Sequence, residues 1–143
     1  MMIGFLVIGH NHFGSGILSA AEMIVGKHKN IECIDFLPDF DTTALDNAIS
    51  QALDNLDYNE GIMIFTDLVG GSPFNRSMVV YTERPECNIH VISGTNLPVL
   101  VEALNLREST NDPEVLVKQV MEAGRNNIVY GNEILKKEME KRY

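Results

Sequence analysis

Basic residues are scarce in this chain, with 11 Lys and Arg against 20 Asp and Glu and a formal net charge of −9. A surface this acidic repels phosphate backbones and anionic membranes, which argues against nucleic acid or a lipid surface as a partner. It fits either plain solubility or docking to a basic protein face. Cysteine is nearly missing: Cys33 and Cys87 lie far apart, with no CxxC or ligand-like spacing. Cys33 falls within the apolar stretch IECIDFL and is expected to be a buried, reduced thiol packing as a small hydrophobe, as in a cytosolic protein. No apolar run approaches the ~20 residues of a membrane span. The N-terminal MMIGFLVIGHN has neither the charged n-region nor the cleavage site of a signal peptide. Repeats, low-complexity segments and linker-like stretches are missing too.

What is present is one domain's worth of chain, 143 residues with 45% hydrophobic, enough for a sizeable core. Four short apolar runs recur in the first two thirds: IGFLVIG (Ile3–Gly9), IECIDFL (Ile31–Leu37), GIMIFTD (Gly61–Asp67) and CNIHVIS (Cys87–Ser93). Three are nearly continuous, as strands buried on both faces of a parallel sheet should be. The second is less regular and is expected nearer an edge. Helical patterns separate them. Gly16–Val25 carries Ile17, Ala20, Ala21 and Ile24 on one face and stops at Gly26. Thr42–Leu56 repeats apolar residues at Leu45, Ala48, Ile49, Ala52, Leu53 and Leu56, with Asp41 or Thr42 as its cap. Pro73–Tyr81 follows Ser72 as the expected cap. Leu97–Leu106 and Pro113–Gly124 supply two more, the last opened by Asp112. The reading is an α/β open, mainly parallel sheet with helices on both faces. Ile128–Tyr130 fits either a fifth strand or a continuation of the last helix.

In such sheets ligands gather beyond the carboxyl ends of the strands, where strand order reverses. His10 follows the first strand and Asp67 closes the third. The order 2-1-3-4 makes these strands neighbours and brings the two residues together from far apart in sequence. Gly70, Gly71 and Ser72 would then offer free backbone N–H groups and the positive end of a helix dipole, a setting that suits a phosphoryl group. Each element alone has a bland reading: a structural histidine, a loop-capping aspartate, ordinary GGSP turn chemistry. Only their coincidence at strand ends argues for a phosphate or nucleophile site.

The segment HNHFGSGILSAAEMIVG (residues 10–26), with DLVGGSPFN (67–75), SGTNLPVLVEAL (93–104) and IDFLPDF (34–40), closely resembles the IIA components of the mannose family of the bacterial sugar phosphotransferase system. The likeness runs through most of Ile3–Arg125. It implies that His10 is the phosphorylated nucleophile, that Asp67 orients and stabilises it, and that Gly70, Gly71 and Ser72 hold the phosphoryl group. His12, Phe13, Leu68, Val69 and Phe74 are read as a docking rim, each with core packing as its rival. Asn11 stands where the family usually has glycine, and a tight turn can survive there because Asn tolerates unusual backbone angles. Gly14, after HF, is expected to loosen the loop.

The resemblance further implies a cytoplasmic carrier that takes phosphate from HPr and passes it to a cognate enzyme IIB, with neither cofactor nor metal. It also implies a homodimer in which Ile128–Tyr130 supplies an antiparallel strand across the interface. The sugar would be chosen by membrane components, so mannose, fructose, sorbose and N-acetylgalactosamine all fit. The phosphotransfer subunit of a dihydroxyacetone kinase is the alternative; the intact GGSPFN and the lack of further carrier domains favour sugar transport. A hydrolase using His10, His12 and Asp67 as metal ligands lacks further His, Cys or Glu at ligand spacing. A flavodoxin-like nucleotide- or flavin-binding module lacks GxGxxG and GxxxxGK[ST].

Overall fold

The computed structural model of the chain describes residues 2–142. Four parallel strands alternate with helices: β1 Gly4–His10, α1 Phe13–Val25, β2 Ile31–Phe36, α2 Thr42–Asn55, β3 Ile62–Thr66, α3 Ser72–Glu83, β4 Ile89–Ile92 and α4 Leu97–Leu106. Two further helices follow, α5 Pro113–Asn126 and α6 Gly131–Lys141. The strand order is β2-β1-β3-β4, the order expected for such a sheet.

The continuous apolar runs have a simple cause, since both faces of the sheet are covered. Ile3, Phe5, Val7, Met63 and Phe65 face one layer with Ala21, Leu100, Leu104, Leu116 and Val120. The alternate residues Leu6, Ile8, Ile62 and Ile64 face the other, with Leu45, Ile49, Leu53 and Val80. Thus α1 leaves β1 for one face while α3 leaves β3 for the other. Because β1 and β3 are hydrogen-bonded neighbours, a cleft opens between their diverging loops.

Helix starts follow local chemistry. Asp41 caps α2 by accepting from Ala44 N–H, and Asp112 caps α5 by accepting from Glu114 N–H. Three sequence expectations need correction. Ser72 is the first residue of α3, and Gly71 takes the cap position with no side-chain cap. Cys33 is exposed, because β2 is an edge strand with side chains on a solvated margin; Cys87 is the buried thiol. Ile24, placed by periodicity on the packed face of α1, is also exposed at 59%. Ile128–Tyr130 forms neither strand nor helix within this single chain. All three residues are exposed, and α6 beyond them buries none of its own.

A buried cation ties the amino end of the sheet. Arg107 is 2% exposed, and its guanidinium lies over the Phe5 ring at 4.6 Å. Its Nη1 donates to the carbonyls of Ile3 and Asn30, each at 3.2 Å, and its Nη2 to Lys29 at 2.6 Å. One side chain thus clamps the entry to β1 against the entry to β2. Arg107→Ala is expected to lower unfolding free energy by about 2–4 kcal/mol, since it removes three hydrogen bonds and the packing of a buried side chain on Phe5. A urea unfolding curve checks this; a loss under ~0.5 kcal/mol would mean the clamp contributes nothing net.

Candidate active site at the β1–β3 cleft

His10 ends β1 and Asp67 follows β3, and one carboxylate oxygen holds the histidine twice. The His10 backbone N–H donates to Asp67 Oδ2 at 2.8 Å, and ring Nδ1 lies 2.9 Å from the same oxygen. The side chains are 46% and 14% exposed. Burial alone would raise the Asp67 carboxyl, but hydrogen bonds from the His10 backbone and ring, with the ring's charge, bring it below its ordinary value. The group is therefore a carboxylate and can only accept. The proton between them sits on Nδ1, which leaves Nε2 with a free lone pair.

The other edge of the ring meets the start of α3. A Cβ added to Gly71 would lie 2.8 Å from His10 Cε1 and 3.4 Å from Nε2. The free nitrogen therefore faces a helix terminus that has no side-chain cap. Because Pro73 has no N–H and Asn75 N–H already donates to Gly71, the Ser72 and Phe74 N–H groups remain outside the helix's own ladder. Gly70 turns the chain at φ 81°, a left-handed conformation that suits glycine, and Asn75 Nδ2 pins its carbonyl at 3.0 Å. His10, Asp67, Gly70, Gly71 and Ser72 are thus gathered at one place.

The expected rim divides. Leu68 and Val69 are 58% and 66% exposed beside Asp67, whereas Phe13 and Phe74 are half-buried. The Phe13 ring packs on Gly9, where a Cβ would overlap it. His12 is exposed but turns away from His10, and its Nδ1 lies 3.3 Å from Asp35 Oδ2. Asn11 sits between them at φ 51°, so the left-handed turn does survive the replacement of glycine. The expected loosening at Gly14 is wrong. Gly14 lies in the first turn of α1, where a Cβ would come within 2.6 Å of the Ile34 carbonyl oxygen, so it permits close packing.

Sequence reasoning missed Asp35, Ser15 and Phe36. Asp35 accepts from Ser15 N–H at 2.8 Å and from Ser15 Oγ at 2.6 Å, acting as the cap of α1 from another strand. The Phe36 ring stands edge-on to His10, with centroids 5.8 Å apart. Their signal was place: Asp35 and Phe36 at the carboxyl end of the second run, and Ser15 in the segment that follows the first. Among the described residues, no group of three His, Cys, Asp or Glu is gathered that could hold a metal ion, and no helix is long and apolar enough to cross a membrane.

Strand order and this couple define a doubly wound α/β protein with an oriented histidine at its topological switch point. The family model described as PTS system fructose IIA component matches residues 4–121, and the chain belongs to this mannose family of phosphotransferase-system IIA components. It is 31% identical over 128 residues to the PTS system mannose-specific EIIAB component of Escherichia coli K12, covering 90% of this chain and 39% of that protein. The chain therefore spans about two fifths of that relative's length. The fructose-specific EIIA component of Bacillus subtilis is 28% identical, covering 75% of this chain and 72% of its own. The crystal structure of an EIIA component from Streptococcus agalactiae superposes with TM-score 0.86 at 30% identity, over 92% of this chain and 99% of that one.

Gly71→Ala tests how tightly the ring is held. Gly71 has φ −75°, which alanine adopts freely, and the obstructing atoms are mainly the end of a side chain. Unfolding free energy should change by less than about 1 kcal/mol. The His10 ring should move off Asp67, and its Nδ1–H tautomer preference should weaken in ¹⁵N NMR. An unchanged tautomer would show that the glycine is not needed for the ring's seat.

Proposed function

We propose that His10 is a phosphoryl carrier that accepts phosphate from phospho-HPr on Nε2 and passes it to a cognate enzyme IIB during sugar uptake. The observation that carries this is the division of the ring. Nδ1 is committed to Asp67 at 2.9 Å, while the Nε2 edge lies against Gly71 at an uncapped helix start.

In the transfer, the Nε2 lone pair attacks phosphorus in line with the donor's P–N bond. The new N–P bond forms as the old one breaks, and the donor imidazole leaves with the bonding electron pair. His10 becomes cationic as it is phosphorylated, and Asp67 stabilises that charge through Nδ1–H. Gly70, Gly71 and Ser72, with the Ser72 and Phe74 N–H groups, receive the phosphoryl oxygens. A helix-dipole contact of this kind contributes about 0.3–1 kcal/mol at an exposed site. So small a stabilisation suits a carrier, which must release what it accepts. Leu68 and Val69, with the half-buried Phe13 and Phe74, form the apolar rim that meets the partner. The cycle runs in the cytoplasm and needs no cofactor.

Labelling from phosphoenolpyruvate through enzyme I and HPr tests the reading. At saturating HPr, wild type and His12→Ala should each gain one acid-labile phosphate, while His10→Ala gains none. Asp67→Ala should be labelled at least tenfold more slowly. An unlabelled wild type, or a labelled His10→Ala, overturns the proposal.

The same reading includes a homodimer closed by the C-terminal segment. Two features support it. The outer edge of β4 pairs with no strand among the described residues, and beside it lies a groove of about 280 Å³ lined by Met78, Tyr81, Ile89, His90, Val91 and Val117. Ile128, Val129 and Tyr130 are 78%, 61% and 63% exposed, an apolar and β-favouring set that a second copy could seat as a strand on that edge. Sedimentation should give a dimer for wild type and a monomer for Val129→Asp. A monomeric wild type removes the dimer without touching His10.

A further inference from the structure

β1 ends between two carboxylates. Asp67 follows β3 on one side, and Asp35 lies on β2 on the other, opposite Gly9 in the register. The left-handed turn at Asn11 sends the histidines on either side of it apart. His10 Nδ1 meets Asp67 Oδ2 at 2.9 Å, and His12 Nδ1 meets Asp35 Oδ2 at 3.3 Å. Two similarly built histidine–aspartate couples therefore flank a single strand end, and the proposed carrier reaction uses only one of them.

The second couple has a defined chemical state. Burial alone would raise the Asp35 carboxyl, but the Ser15 hydrogen bonds, together with the hydrogen bond and charge of His12, bring it below its ordinary value. As a carboxylate it only accepts, so Nδ1 of His12 carries the proton. Nε2 is then the ring atom left to meet another molecule, on a side chain that is 73% exposed. His12 occupies the cap position of α1 but makes no side-chain cap bond, because Asp35 already accepts from Ser15 N–H. Capping of α1 therefore accounts for Asp35 and Ser15 and leaves the aimed imidazole unexplained.

Distance assigns it a place. Neighbouring strands lie about 4.8 Å apart, so groups on β2 and β3, on either side of β1, are separated by roughly 10 Å. A specific protein partner covers about 800 Å² of each surface, a disc about 16 Å in radius. A protein centred on His10 to deliver a phosphoryl group therefore reaches His12 as well. At that separation His12 touches the partner's surface while staying clear of the exchanging P–N bond.

We propose that His12, aimed by Asp35, is a partner-recognition residue whose Nε2 bonds a polar group on the phosphohistidine-bearing protein and fixes its angle of approach. This rests on the reading of His10 as the phosphoryl acceptor. It differs from the apolar rim, which supplies contact area, because an oriented imidazole supplies a directional contact that discriminates between partners.

The test compares a protein phosphodonor with a small one. Initial rates of His10 labelling are measured against phospho-HPr concentration for wild type, His12→Ala and His12→Gln, and then with phosphoramidate as donor. For His12→Ala, KM for phospho-HPr should rise about five- to twentyfold, with kcat within twofold of wild type. His12→Gln, which keeps a polar end on a similar stem, should recover part of the KM. Phosphoramidate presents no protein surface and should label wild type and both variants at one rate. An unchanged KM in His12→Ala overturns the recognition role and leaves His10 as acceptor. A matching loss with phosphoramidate also overturns it, by showing that His12 acts on the chemistry of His10. A wild type labelled by phosphoramidate but not by phospho-HPr removes the underlying function itself.

Discussion

A single oxygen, Asp67 Oδ2, takes both the backbone N–H and the ring Nδ1 of His10, and the rest of the site depends on that double acceptance. A bond to the ring alone would leave the side chain swinging on its own torsions. With the backbone held by the same atom, the imidazole becomes a fixed extension of β1. The arrangement needs β1 and β3 as neighbours, which the order 2-1-3-4 supplies. It also needs a surface on the far side of the ring with no side chain in the way, which Gly71 supplies. Sheet order, acidic residue and glycine are thus three conditions on one ring orientation.

Much of this was readable from the residues because burial on both sheet faces leaves a strong mark. The runs around Val7, Ile64 and Val91 are apolar almost without a break, so the strands and their ends could be placed to within a residue or two. Once the ends were known, His10 and Asp67 could be brought together by topology alone. The failures share a different cause: they depend on contacts that one-dimensional pattern does not carry. Ser72 has every property of a helix cap, yet the extended backbone falls at Gly71 and Ser72 turns into the helix. Asp35 caps α1 from 20 residues away, while cap patterns relate a residue only to its next few neighbours. Cys33 sits in an apolar string whose irregularity pointed to an edge strand, but hydropathy does not tell which of its side chains lie on the solvated margin.

Asn11 and Gly14, both close behind His10, show how two different residues meet two different backbone constraints. Asn11 adopts φ 51°, a region that asparagine visits more readily than most residues with a side chain. Gly14 is needed for close approach, since the carbonyls of Ile34 and Val7 and the Asp35 carboxylate surround the space its Cβ would fill. That approach brings Asp35 within reach of Ser15. The turn thus places two histidines against two carboxylates, with the first helix anchored to β2.

Two couples with the same proton placement raise the question of why one should be the nucleophile. Their tautomers do not decide it, because each Nδ1 faces a carboxylate and each Nε2 is free. The helix termini do. At α1 the start of the helix is already occupied by an anion, since Asp35 accepts the Ser15 N–H and hydroxyl bonds. A phosphoryl group arriving there would meet a fixed negative charge with its local donor already engaged. At α3 no side chain caps the terminus, and the ring of His10 lies directly against it at Gly71. An incoming anion therefore meets an uncapped helix start at His10 and the Asp35 carboxylate at His12. The same Asp35 that orders His12 thus weighs against it as the acceptor in the proposed transfer, and leaves it an oriented polar group at the edge of the site.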